Sequence, residues 1–319
     1  MRLHPTTDNP IPPGVVVSSL RADDGALLRA ARWVPPGAAR GTVAILNGRA
    51  EFIEKYFEVV AQLLDRGFAV ATFDWRGQGG SARQLANPRK GHIDDFSVYS
   101  RDFAAFVDDV VATFCPKPWF GLAHSMGAAI LLTIAHAGRC PFERMALTAP
   151  MVGLAGLRAP RAAHWLALGL DSLGLGGAFA PGGGNESVST QPFAGNILTS
   201  DPRRYARMAA SVQVAPEIGL GWPTVSWVHA AFRVMKSFEE PEYARAIDTP
   251  SLIVAAGADL VVDTRAAERF AARLRTGHLI VVAGAKHEVL MERDELRGQF
   301  WAAFDAFIPG AEGASARVA

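Results

Sequence analysis

The chain has 319 residues, 50% hydrophobic and 20% charged, which suffices for a large core and excludes a chain disordered throughout. Its 32 Lys and Arg against 31 Asp and Glu leave a formal net charge of +1. That balance argues against a general nucleic-acid binder, which needs a basic excess to displace counterions. Two cysteines, Cys115 and Cys140, exclude a disulfide scaffold and suit a reducing compartment.

The opening MRLHPTTDNPIPPG has no apolar stretch after Arg2 and is broken by four early prolines, unlike a signal peptide. No run of about 18 apolar residues follows, so no membrane-spanning helix is predicted. The expected location is the cytoplasm, with peripheral contact to a membrane left open. Val15 to Leu20 and Leu27 to Val34 are β-rich runs around Asp24-Gly25 and predict a hairpin. Strands are then predicted at Thr42 to Leu46, Phe68 to Phe73, Trp119 to Ala123 and Met145 to Thr148. Between them, helical spacing runs over Glu54 to Arg66, Phe96 to Phe114 and Met126 to Ala137. After a long interruption come a strand at Leu252 to Ala255, a helix at Thr264 to Leu274, a strand at Leu279 to Val282 and a helix at Leu296 to Phe307. Only small, frayed residues are expected after Pro309. Short apolar strands alternating with amphipathic helices predict an α/β fold with a mostly parallel sheet covered on both faces.

The interruption divides the chain. Residues 1–150 and 241–319 read as one core, and 151–240 as a helical cap. Residues 145–185 hold only Arg158, Arg161 and Asp171 as formal charges, alongside Trp165, Leu166, Leu168, Leu170, Leu173 and Leu175. Such a stretch is expected to line an apolar cavity and touch substrate. The plainer alternative is that it packs on the sheet.

Trp119-Phe-Gly-Leu-Ala-His-Ser125-Met-Gly127 reads as strand, sharp turn and helix. A nucleophile elbow needs small residues two before and two after its serine, here Ala123 and Gly127. Of 15 serines, only Ser125 meets this relaxed A-x-S-x-G pattern. A serine hydroxyl needs a base, and the base needs an orienting carboxylate. In a fold of this kind they follow in the order acid, then histidine. His287, after the strand end Val282-Ala-Gly-Ala-Lys, is the expected base; His136, His164, His229 and His278 lie on elements or in the interruption. Asp259, at the end of Leu252-Ile-Val-Ala-Ala-Gly-Ala, is the expected acid. Its rival Asp263 is expected to cap the helix from Thr264. The oxyanion would be held by the backbone N–H groups of Met126 and Arg49, the latter from the loop Leu46-Asn47-Gly48-Arg49. The Arg49 side chain would be solvated or meet an acidic group on substrate.

Four blocks resemble the α/β-hydrolases of the monoacylglycerol lipase and bacterial lysophospholipase group. They are Asn47-Gly-Arg-Ala-Glu51 with Lys55-Tyr56; Phe73-Asp-Trp-Arg-Gly-Gln-Gly-Gly-Ser81; Leu122-Ala-His-Ser-Met-Gly127; and Lys286-His-Glu-Val-Leu290. The resemblance runs from about residue 15 to 308. The Asn-Gly-Arg block, Ala before His-Ser-Met-Gly, Asn196 to Tyr205 and Pro223 to Val228 look closer to the lysophospholipases. It implies an α/β-hydrolase fold, the triad Ser125, Asp259 and His287, and hydrolysis of a carboxylic ester through an acyl-enzyme. The implied substrate is a single-chain lipid, foremost a lysophospholipid. A monoacylglycerol lipase, a small-molecule esterase, lactonase or peptidase on the same triad, and an inactive binding protein are the alternatives.

No metal site or cofactor is expected. Met291 stands where a second zinc-binding His would follow His287-Glu288, and no P-loop or dinucleotide fingerprint occurs. Asp74-Trp-Arg-Gly-Gln-Gly-Gly reads as a structural turn. Asp201-Pro202 starts a helix. Its Arg203, Arg204 and Arg207 form either a solvated face or a phosphate contact.

Overall fold

The computed structural model describes residues 1–156 and 159–310; Arg158 and the tail at 311–319 lie outside the described residues. Eight strands form one sheet in the order β1-β2-β4-β3-β5-β6-β7-β8. The strands are β1 (Val15–Arg21), β2 (Leu27–Trp33), β3 (Thr42–Leu46), β4 (Ala69–Phe73), β5 (Trp119–His124), β6 (Arg144–Thr148), β7 (Ser251–Ala256) and β8 (Gly277–Val282). β1 and β2 form the expected antiparallel hairpin, and β2 runs antiparallel to β4. All remaining pairs are parallel. β3 and β4 are buried along their whole length, so every residue there is apolar or a hydrogen-bonded threonine.

Two apolar layers cover the sheet. On one face lie Phe103 and Phe106 of α2 (Ser97–Phe106), Leu131 of α4 (Met126–His136) and Phe270 of α9 (Thr264–Ala271). On the other lie Val60 and Leu63 of α1 (Phe57–Asp65), with Phe300 and Phe304 of α10 (Asp294–Phe307). α2 continues through a widened π-helical stretch, Val107–Val111, into α3 (Ala112–Phe114), so the single predicted helix is one run with a bulge. The Glu54 helix starts with a tight 3₁₀ turn at Ile53–Tyr56 before α1.

Between β6 and β7 the chain adds no strand to the sheet. It builds α5 (Pro160–Leu170), α6 (Pro202–Val214), α7 (Val225–Phe238) and α8 (Pro241–Arg245) instead. α6 begins as predicted, with Asp201 Oδ1 accepting from the N–H groups of Arg203 and Arg204 at 2.8 and 3.0 Å. α5 differs from expectation. Trp165 and Leu166 are 71% and 56% exposed, and Leu173 just after it is 77% exposed, so the charge-poor stretch turns much of its apolar surface outward.

Candidate active site

The loops at the carboxyl ends of β3, β5, β7 and β8 converge on one spot, as parallel strands require. β5 ends at His124 and α4 begins at Met126, which leaves Ser125 alone to turn the chain. Its φ of 50° lies in the left-handed region that non-glycine residues avoid. Such a conformation costs on the order of 1–3 kcal/mol and projects the side chain out of the sheet. A hydrogen bond from Ser125 N to Thr148 O at 3.0 Å holds the turn. A Cβ on Gly127 would stand 2.4 Å from Leu46 O and 2.5 Å from Asn47 O. Only glycine therefore lets α4 pass β3 this closely.

Three predicted residues meet here. His287 Nε2 lies 3.0 Å from Ser125 Oγ, and His287 Nδ1 lies 2.8 Å from Asp259 Oδ2. The other Asp259 oxygen accepts from the N–H groups of Val261 and Val262 at 2.7 and 3.0 Å. Burial pushes the Asp259 carboxyl up, but the His287 contact and these two N–H groups outweigh it, and the net shift is downward. An ionised Asp259 fixes Nδ1 as the protonated nitrogen and leaves Nε2 free to accept from the serine. Asp263 caps α9 by accepting from Arg265 N at 2.9 Å, as expected of the rival. His136 is taken up by Tyr243, with its ring stacked at 3.7 Å.

Met126 N–H, at the first position of α4, and Arg49 N–H, in the loop after β3, donate to nothing among the described residues. Glu51, Lys55, Tyr56 and Gln78 stand in the blocks that carry the family resemblance, but their part in shaping the Arg49 loop is seen only in the fold. Glu51 accepts from Gly48 N, from Lys55 Nζ at 2.6 Å and from Tyr56 Oη at 2.7 Å. Gln78 donates from Nε2 to Gly48 O at 2.7 Å and to Glu51 O at 3.1 Å, while its Oε1 accepts from Ala50 N at 3.2 Å. The Asp74-to-Gly80 turn is thus structural, as expected, but it also braces this loop. A glycine is needed at 79, where a Cβ would stand 2.2 Å from the Asp74 carboxyl. The sequence signal for these groups is their place in the resembling blocks, with Glu51 and Lys55 four residues apart.

Beneath the serine, His124 donates or accepts at Thr148 through Nδ1, 3.0 Å from Oγ1, with its ring centroid 4.8 Å from that of His287. Burial lowers His124 to about 4, more than Glu51 raises it. His124 is therefore neutral near pH 7 and does not oppose a proton arriving on His287. Burial pushes the Glu51 carboxyl up, but the charge of Lys55 and the hydrogen bonds from Lys55 and Tyr56, with the His124 ring, together outweigh it and bring it to about 2. Burial pushes Glu288, on the far side of Lys55 at 2.6 Å, upward.

Ser125 and His287 open into a cavity of about 390 Å³. Met151, Leu198, Met208, Trp227 and Val261 line it, so its walls come from the insertion and the β7 loop. Among the described residues of the charge-poor stretch, only Met151 and Leu154 reach it. The three helix arginines do not. Arg203 is exposed, while Arg204 and Arg207 bond to Glu58 at 2.7 and 2.8 Å, because a partly buried carboxylate on α1 offers a better partner than water. The Arg49 side chain corrects a second expectation. It is not solvated but partly buried at the cavity, bonded through Nη2 to Gly221 O at 2.6 Å. No group of three or more His, Cys, Asp or Glu able to hold a metal ion occurs among the described residues.

Residues 37–294 match the family described as serine aminopeptidase, S33. The chain belongs to this family. It is an α/β-hydrolase, with the mostly parallel sheet and interrupting insertion described above. It is 38% identical to lysophospholipase L2 of Escherichia coli K12 over 272 residues, which cover 80% of this chain and 76% of that protein. It is 32% identical to a probable lysophospholipase L2 of Haemophilus influenzae over 263 residues, 82% of each chain. Its fold matches a soluble variant of monoglyceride lipase from Saccharomyces cerevisiae at a TM-score of 0.71. That match has 20% identity and covers 97% of this chain and 99% of that one.

Proposed function

We propose that this α/β-hydrolase cleaves the carboxylic ester of a lysophospholipid, with Ser125 as nucleophile, His287 as base and Asp259 as its orienting acid. The observation that carries the reading is the unbroken relay of 2.8 and 3.0 Å from Asp259 through His287 to Ser125 Oγ, at the mouth of an apolar cavity. Ser125 Oγ attacks the ester carbonyl while His287 Nε2 takes its proton. The Arg49 and Met126 N–H groups, free of other partners, receive the negative charge that develops on the carbonyl oxygen. His287 then passes its proton to the leaving glycerol oxygen. Water, activated by the same nitrogen, releases the fatty acid from the acyl-enzyme.

The relatives' names favour a lysophospholipid over a peptide, and the cavity favours an acyl chain. Residues 151–240 would act as the cap that shelters it. The outward Trp165, Leu166 and Leu173 support a peripheral membrane contact of this cap, since large apolar side chains turned to solvent suit an apolar interaction site. Among the described residues no helix is long and apolar enough to cross a membrane. Cys115 and Cys140 as free thiols accord with a cytoplasmic location.

The test is fatty-acid release from 1-lauroyl-lysophosphatidylcholine and 1-lauroylglycerol, side by side, with Ser125→Ala as the blank. The expected result is turnover of the lysophospholipid that falls roughly 10⁶-fold in the variant. Turnover that persists in Ser125→Ala sinks the triad. Cleavage of the monoacylglycerol alone moves the enzyme to that substrate. Labelling of Ser125 by a fluorophosphonate without cleavage of either lipid leaves the triad standing and removes the lipid assignment.

A further inference from the structure

The cavity holds two long-chain cations, and their surroundings differ. Lys55 Nζ sits 2.6 Å from Glu51 and 2.6 Å from Glu288, so its charge is answered on both sides. Arg49 has no carboxylate partner among the described residues. Of its five N–H donors, one is used, by Gly221 O at 2.6 Å. Its Nε is shut off from solvent and has no hydrogen-bond partner among the described residues. The guanidinium rests 5.4 Å from the ring centroid of Trp227, a wall of the same cavity. Burial lowers Arg49 to about 10, which leaves it charged near pH 7.

A guanidinium without a carboxylate and with a buried donor unmet is destabilising until an anion answers it. Its fork of donors matches a phosphate or carboxylate better than any neutral group. We propose that the Arg49 side chain is the receptor for the phosphate of the substrate's head group. This rests on the lysophospholipase reading given above and deepens it.

Covalent geometry supports the assignment. The reading above puts Arg49 N–H on the carbonyl oxygen of the scissile ester. From that nitrogen to the guanidinium carbon the side chain spans as many bonds as a 1-acyl-lysophospholipid spans from its carbonyl carbon to phosphorus. One residue can therefore hold both ends of the glycerol, the ester by its backbone and the phosphate by its side chain. A monoacylglycerol carries a neutral hydroxyl where the phosphate would be and cannot answer the charge. Arg203, Arg204 and Arg207, the other candidates for this role, are exposed or spent on Glu58.

The experiment compares kcat/KM for 1-lauroyl-lysophosphatidylcholine with kcat/KM for 1-lauroylglycerol, both below micelle-forming concentrations, in wild type, Arg49→Leu and Arg49→Lys. The ratio of the two cancels any general damage to the shared loop. The expected result is a tenfold or greater fall of the ratio in Arg49→Leu, carried mainly by KM, with partial recovery in Arg49→Lys. Competitive inhibition of monoacylglycerol turnover by glycerophosphocholine should weaken in the same order. An unchanged ratio with wild-type cleavage intact overturns the Arg49 role alone, since a merely structural side chain lowers both rates alike. A wild type that cleaves no lysophospholipid, yet labels at Ser125 with a fluorophosphonate, overturns the substrate reading and the Arg49 role together.

Discussion

The insertion between β6 and β7 carries two helices of opposite design. α6 points two of its three arginines, Arg204 and Arg207, inward. Arg204 bonds to Glu58 of α1 at 2.7 Å, to Asp201 at 2.9 Å and to Asp294 of α10 at 2.6 Å. Arg207 adds a bond to the same Glu58 at 2.8 Å, and Arg297 of α10 another at 2.9 Å. α5 points its grease outward, with Trp165 and Leu166 exposed and only Ala167 buried along its described side chains. α5 inverts the usual surface helix, which keeps apolar residues in and charges out; α6 buries Tyr205, Met208 and Val212 in the usual way but turns Arg204 and Arg207 toward the core beside them. One carboxylate, Glu58, ties α6 to two elements of the core. At the carboxyl end of α5, Asp171 accepts from Ser226 Oγ at 2.6 Å and lies 3.0 Å from His229 Nδ1, both of α7, and no ion pair to the sheet's own helices is made by α5 among the described residues. The difference separates two parts of the insertion: α6 is tied to the core by ions, and α5 turns apolar side chains to solvent, where the proposed membrane contact would form.

Removing the anchor gives the largest effect expected here. Glu58→Gln leaves the buried guanidiniums of Arg204 and Arg297 without their shared carboxylate. Breaking a buried pair on one side costs about 3–5 kcal/mol. Because Glu58 keeps 23% of its side chain exposed, the low end, about 3 kcal/mol, is expected in urea unfolding. Hydrogen exchange should quicken along Pro202–Val214 more than along the sheet. A uniform loss across the molecule would erase the distinction between the two helices. Unloading the docking end gives a smaller effect of a different kind. Trp165→Ser with Leu173→Ser should leave stability within about 0.5 kcal/mol, as for exposed positions. Sedimentation with phosphatidylglycerol vesicles should weaken about tenfold, roughly 1.4 kcal/mol. Binding that survives the double change would mean the outward face meets no membrane.

Much of this architecture was legible in the sequence. Strands such as Thr42–Leu46 gave themselves away by apolar runs bounded by turn residues, and Ser125, Asp259 and His287 by their place after such strands. The helix start at Asp201-Pro202 was legible because a cap and a first-turn proline are local chemistry. The pairing of Arg204 with Glu58 was not, because 146 residues separate them and only the folded chain brings them together. The same holds for Gln78, whose amide braces a loop formed 30 residues earlier. Charge-poor composition identified the 145–185 stretch as unusual but could not say which way its apolar side chains face. Periodicity gives a helix a face, and the surroundings decide where that face points. Arg49 shows the same limit: position in the chain located its N–H, and only the packed cavity exposes the missing partner of its guanidinium.

A pH titration sharpens the comparison most finely, because it weakens the anchor without a mutation. Burial pushes the Glu58 carboxyl up, but Arg204, Arg297 and Arg207 outweigh it and bring the group from 4.5 to about 2. A carboxyl depressed in the folded state binds its proton more weakly there than in the unfolded chain. Its contribution is therefore complete above the unfolded value of 4.5 and is lost as pH falls toward about 2. By about pH 4 the loss amounts to about 1 kcal/mol. Asp259 and Glu51 are also depressed and add slopes of their own. The diagnostic quantity is thus the difference between wild type and Glu58→Gln, measured by urea unfolding at steps from about pH 7 to about pH 3.5. The gap between the two proteins should narrow steadily below about pH 5, as protonation does in the wild type what the glutamine does in the variant. A gap that stays constant would mean that Glu58 does not hold its arginines as a carboxylate, and α6 would then be anchored by packing alone.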